Sequence, residues 1–186
     1  MSMTRAAGIT TKTSRSYSPV WRVISVIALV PLLSLLMKNQ REGRENIPRR
    51  GGVILAPNHL SYADWVPDAL FLRACGRYPT FTVKASAFEV KGVARLALAT
   101  GVPVIPVAHW GTHDILPYGT KKPRLFPRRA VRTTAGRPVD LSQWAGQQKS
   151  AKALRAATEA IMAEVTALLA QQRGQTPPEV PYTLKN

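Results

Sequence analysis

The stretch from Gly51 to Ala69, GGVILAPNHLSYADWVPDA, limits the folds open to this chain more than any other part of it. Val53 to Ala56 is a short apolar run held between Gly51-Gly52 and Pro57, the pattern of a buried strand. Ser61 followed three residues later by Asp64 resembles a capping box, and Trp65, Ala69 and Leu72 then recur at helical spacing. A buried strand that turns at once into a capped helix predicts an α/β domain.

The remaining pattern extends that reading. Thr80 to Lys84, Val102 to Ala108 and Ala130 to Val139 are expected as further strands. Pro103 and Pro106 place the second of these at an edge or on a bulge, because proline cannot donate to a ladder. Leu154, Ala157, Ile161, Val165 and Leu168 repeat at three and four residues, giving one apolar face on a helix ended by Gly174 and Pro177. The expected fold class is α/β, a mixed central sheet flanked by helices, over residues 45–174 with a tail at 175–186. With 186 residues and 45% hydrophobic content, the chain suits one domain with a real core.

Residues 1–18 are rich in Ser and Thr, carry Arg5, Lys12 and Arg15, and lack acidic residues, as in a disordered basic tail. Val20 to Met37, VWRVISVIALVPLLSLLM, is an apolar run of about eighteen residues, borderline for crossing roughly 30 Å of hydrocarbon. Arg22 shortens it and Pro31 would kink it. Trp21, Arg22 and Lys38 suit the headgroup layer, and no small-residue cleavage site follows the run. Residues 19–38 are therefore expected as a retained membrane-associating helix that lies in or dips into one leaflet. A net charge of +16, from 26 basic against 10 acidic residues, calls for an anionic partner such as lipid headgroups or nucleic acid. Lys121 to Arg132, KKPRLFPRRAVR, is the densest basic segment and a candidate headgroup contact. Only Phe126 interleaves with its cations, so it lacks the stacking surfaces of a nucleic-acid binder. The single cysteine, Cys75, excludes an internal disulfide and is expected as a small apolar core residue.

The chemistry-bearing constellation is Asn58-His59-Leu60-Ser61-Tyr62-Ala63-Asp64. On a continuous helix a spacing of five would separate His59 and Asp64 around the axis, so the two meet only if the chain bends at Ser61. If they meet, Asp64 accepts the proton of one imidazole nitrogen and leaves the other nitrogen as a base toward a substrate hydroxyl. The alternative is that Asp64 caps the helix and His59 fills a turn. There is no GxSxG elbow and no activated serine, so a covalent intermediate is not expected. His109 and His113 in HWGTH have the i, i+4 spacing of metal ligands, but Gly111 between them and the lack of a third ligand nearby point to satisfied loop histidines.

NHLSYAD, preceded by IPRRGGVILAP, resembles the NHxxxxD signature of the PlsC-like glycerolipid acyltransferase family. VKASAFEV and GVPVIPVAHWG are similar to two further family segments, and the resemblance runs from Glu45 to about Ala170. It implies that His59 activates a glycerol hydroxyl and Asp64 orients it, with Asn58, Ser61, Lys84 and Lys91 as candidate substrate contacts. It implies transfer of a fatty acyl group from acyl-CoA or acyl carrier protein to 1-acylglycerol 3-phosphate, giving phosphatidic acid at the cytoplasmic face of the cell membrane. No metal and no cofactor beyond the acyl donor is expected.

The chain departs from that family between SAFEV and KGVARLALATG, where an arginine-bearing motif and a strand ending in FPEGTR are missing. An internal deletion with its junction near Val90 and Lys91 accounts for the gap. It would remove the bidentate phosphate clamp, which a lysine replaces only in part. A membrane-bound remnant without activity is thus the rival expectation.

Overall fold

The structure is a computed structural model that describes residues 35–78, 90–120 and 122–178. The expected segments 1–18 and 19–34, the strand at Thr80 to Lys84, and Lys84 itself lie outside the described residues. The elements in chain order are β1 (Met37–Glu42), a 3-10 turn (Arg44–Asn46), β2 (Ile54–Pro57), α1 (Trp65–Ala74) and α2 (Val90–Thr100). There follow β3 (Val104–Trp110), the short α3 (Thr112–Ile115), β4 (Arg129–Ala135), a second 3-10 turn (Ser142–Trp144) and α4 (Ala151–Arg173).

The four described strands form a mixed sheet in the order β1-β4-β3-β2. β1 runs parallel to β4, β4 antiparallel to β3, and β3 parallel to β2. β1 was not legible in the sequence: Met37 and Lys38, read there as the end of the apolar segment, open this strand and pair with Arg129 and Ala130.

β3 corrects a second expectation. It is an interior strand, flanked by β2 and β4, and Pro106 keeps its register with Ala56 of β2. The ladder with β4 starts only at Val107, opposite Ala135, so the missing Pro106 N–H falls just beyond the end of β4. There the Pro106 carbonyl accepts from Gly136 N at 2.9 Å, and Gly136 ends the strand that was expected to reach Val139. Six of the seven β3 residues are buried, as an apolar strand covered on both faces should be.

The two faces of the sheet hold different cores. On one, Ala94, Ala97 and Leu98 of α2 pack with Leu154, Ala157, Ile161 and Val165 of α4 against Ala56 and Val104. Truncating Ile161, which is fully buried there, to alanine would cost about 2–5 kcal/mol. On the other, Val66 and Leu70 of α1 join Met37, Ile115 and Val131, and Phe71 joins Ile105, Val107 and Ala135. α1 therefore buries Val66, Leu70 and Phe71 and leaves Trp65 exposed, a rotation away from the Trp65, Ala69 and Leu72 stripe read from spacing. α4 follows its expected stripe. Ser150 caps its start by accepting from Ala153 N, and Gly174 at φ 62° ends it. Among the described residues, no helix is long and apolar enough to cross a membrane.

Candidate active site at the end of the second strand

Asn58 extends β2 past its last ladder residue. Its N–H donates to Val107 O at 3.2 Å, its Oδ1 accepts from His109 N at 2.6 Å, and its Nδ2 donates to His109 O at 3.1 Å. A side chain thus imitates another strand residue and fixes the backbone just before His59.

The bend anticipated at Ser61 forms. Ser61 Oγ accepts from Ala63 N at 3.0 Å and donates to Leu116 O at 2.6 Å, which ties the corner to the loop after α3. Asp64 reaches back: its Oδ2 accepts from Leu60 N at 2.6 Å and from Ser61 N at 3.0 Å. Asn58 and Ser61, candidate substrate contacts by sequence, therefore have their side chains engaged inside the protein, where they hold the corner. Lys91 lies in the first turn of α2.

His59 Nδ1 lies 3.7 Å from Asp64 Oδ2, with the His59 side chain 46% exposed and that of Asp64 only 2%. At this distance the contact is an ion pair rather than a formed hydrogen bond. Catalytic contacts are often long in a free enzyme and tighten around substrate. The Asp64 carboxylate raises the His59 pKa above its ordinary value, against burial that would lower it, and Asp68 adds a smaller upward push. For Asp64 itself, burial pushes the pKa up, but His59, the Thr112 hydroxyl and the Ser61 and Leu60 amides together hold it below the ordinary carboxylate value. The site thus offers an ionised, buried carboxylate beside an accessible imidazole, which is the arrangement a general base needs.

Thr112 was not singled out by the sequence. It is fully buried in α3, where its hydroxyl helps hold the Asp64 pKa down, though neither that hydroxyl nor Asp64 Oδ1 has a well-formed hydrogen-bond partner. The turn at Gly111 (φ 102°), where a Cβ would overlap the Ala130 carbonyl oxygen, delivers Thr112 to this spot.

A second histidine–carboxylate pair lies beneath the first. His109, expected in a loop, is instead a fully buried residue of β3. Its Nε2 is 2.8 Å from Asp68 Oδ1 and its Nδ1 is 3.3 Å from Thr133 Oγ1, so it is satisfied, by partners far away in sequence. Asp64 and Asp68 are one helical turn apart, which puts one carboxylate under each histidine.

The basic segment also divides. Arg128 donates to Met37 O at 2.9 Å and Arg132 bonds Gln40 and the Gln172 carbonyl, so both brace the fold, whereas Lys122 and Arg124 are exposed. Phe126 is exposed as well, as are Tyr62, Trp65 and Tyr118 around the corner. Tyr62 and Tyr118 meet edge to face with centroids 4.8 Å apart.

The corner and the strand that leads into it fall within a family match. A sequence profile of the acyltransferase family matches residues 38–91. That segment takes in β1, β2, His59, Asp64 and α1, and is less than half of the chain. Among solved structures, the fold is similar to the crystal structure of the 1-acyl-sn-glycerophosphate acyltransferase PlsC from Thermotoga maritima. The TM-score is 0.51, with 19% sequence identity, over 84% of this chain and 81% of that one. At that identity the likeness concerns the fold. No curated protein matches the chain. The profile match takes in the strand-to-helix corner read from the sequence.

Proposed function

We propose that this chain is an acyltransferase of glycerolipid synthesis that moves a fatty acyl group from acyl-CoA or acyl carrier protein to 1-acylglycerol 3-phosphate. The observation that carries the reading is the accessible His59 imidazole beside the buried, ionised Asp64. His59 removes the proton of the acceptor hydroxyl as that oxygen attacks the thioester carbonyl. The tetrahedral intermediate then collapses with loss of the thiolate, which takes up a proton. General-base help of this kind is worth roughly 10² to 10⁴ in rate.

The acceptor and product are lipids, and the surface around the corner suits a bilayer. Exposed Tyr62, Trp65, Tyr118 and Phe126 lie with Lys122 and Arg124 on the corner and on the loop tied to it by Ser61. Aromatic rings favour the headgroup layer, and each basic residue near an anionic surface adds roughly 1 kcal/mol. The chain works at the cytoplasmic face of the cell membrane, held there by this rim and by the apolar run that precedes β1.

The experiment is acyl transfer to lysophosphatidate by full-length protein in anionic vesicles, with labelled acyl-CoA and acyl carrier protein donors, comparing the chain with His59→Ala. Turnover that disappears in the variant supports the proposal. A folded, membrane-bound protein inactive with both donors favours the second reading, a remnant shortened near Val90 and Lys91. The absence of FPEGTR from the sequence is the observation behind that reading.

A further inference from the structure

Side chains alternate along a strand, so Trp110 faces away from His109 and from α1. In register with it across the sheet stand Arg132 of β4 and then Gln40 of β1. This row of three lines a cleft of about 380 Å³ on the α4 face, closed by Gln172, Arg173 and Gln175. Arg132 Nε donates to Gln40 Oε1 at 3.1 Å and its Nη1 to Gln172 O at 3.2 Å. These two bonds fix the guanidinium and leave its other N–H groups for a ligand. The Arg173 guanidinium lies 4.5 Å from the centre of the Trp110 ring.

Among the described residues, no carboxylate pairs with Arg132 or Arg173, and the cleft lining contains none. The C-terminus of α4 contributes only about half a negative charge against two full positive ones. Two cations at one opening without a counterion favour an anion there. Gln172 lines the same cleft. Its Nε2 donates to Thr134 Oγ1 at 2.9 Å and to Ala108 O at 3.3 Å, while its Oε1 is buried and accepts from nothing.

We propose that this cleft binds the phosphate group of a phosphate monoester, held across Arg132 and Arg173. The binding claim stands on this geometry alone, and only the source of the phosphate rests on the acyltransferase reading. Two sources share the chemistry: the phosphate of an acceptor's glycerol 3-phosphate headgroup, and the ribose 3′-phosphate of a CoA donor.

The test is calorimetric titration of the full-length protein with inorganic phosphate, glycerol 3-phosphate and adenosine 3′,5′-bisphosphate. Saturable binding of all three is expected, weakened about tenfold or more by Arg173→Gln, since a charge-assisted contact is lost. Arg155→Gln removes the same charge from an exposed position on α4 and should leave binding unchanged. Arg132 also braces β1 and α4, so Arg132→Gln is read only alongside an unchanged melting curve, and Arg173→Gln carries the decision. Tighter binding of one probe identifies the source. Equal weakening by Arg155→Gln and Arg173→Gln, or no saturable binding of any probe, overturns the proposal. This readout does not involve acyl transfer, so an inactive enzyme that still binds phosphate refutes the proposed function and not the cleft.

Discussion

His59 Nδ1 stands 3.7 Å from Asp64 Oδ2, and the backbone amides of Leu60 and Ser61 bind that same oxygen. The carboxylate therefore shapes the turn and orients the imidazole at once. His59→Ala is expected to lower kcat by roughly 10² to 10⁴ while leaving the fold intact, because the ring is nearly half exposed. Asp64→Ala should lose both activity and stability, since it strips two buried amides of their acceptor. Steady-state kinetics alongside thermal melting separates the two effects.

The pH dependence follows from the same pair. In the proposed reaction the base is neutral His59, whose pKa lies above the ordinary 6.5 because of Asp64. Activity should rise with pH through a midpoint above 6.5, and Asp64→Asn should move that midpoint down. For stability the signs differ. The His59 contribution is full below its unfolded pKa and is lost as pH rises through the raised folded value. The Asp64 contribution is present above its unfolded pKa and is lost as pH falls through the lowered folded value. A pH series of rates and melting curves checks both, and a midpoint that ignores Asp64→Asn contradicts the coupling.

Thr112 tests whether the carboxylate needs its hydroxyl. Thr112→Val keeps the buried shape and removes the group that helps hold the Asp64 pKa down. The expected result is a drop of a few-fold in kcat with little change in KM, and a His59 titration measured by NMR that moves toward the ordinary value. An unchanged titration would make Thr112 a packing residue only.

The pair beneath the site has a structural signature. Asp68→Ala leaves buried His109 Nε2 without its partner and should cost about 1–3 kcal/mol, more than Asp68→Asn, which keeps a hydrogen-bonding group in place. Denaturant unfolding of the two variants reads the difference.

Gly111→Ala should be the most damaging small substitution near the corner. Its φ of 102° is outside the range L-residues favour, and the new methyl would overlap the Ala130 carbonyl oxygen. The expected outcome is a protein with a markedly lower melting temperature in which Thr112 no longer meets Asp64. Glycine-like stability in the alanine variant would refute the strain argument.

How much of this was legible depended on the range of the interactions. Asn58 to Asp64 could be read because the strand run, the Ser61–Asp64 capping signal and the turn lie within a few bonds of one another. Pro106 misled because a proline argues for an edge in general, and only the place where β4 stops shows why an interior strand tolerates it. β1 hid inside MKNQRE, whose alternating burial carries few apolar residues. His109 looked like a loop residue because nothing nearby in sequence announces Asp68 or Thr133.

The sequence by itself determined the α/β class, the capped helix α4 and the strand-to-helix corner bearing His59, since periodicity, capping and turn chemistry act between near neighbours. Only the tertiary structure decided that β3 lies inside the sheet, that Thr112 comes to Asp64, that Asp68 satisfies His109, and that Arg132 and Arg173 share a cleft with Trp110. Those partners are separated by dozens of residues, and strand register together with the packing of α1 and α4 on opposite faces brings them within reach.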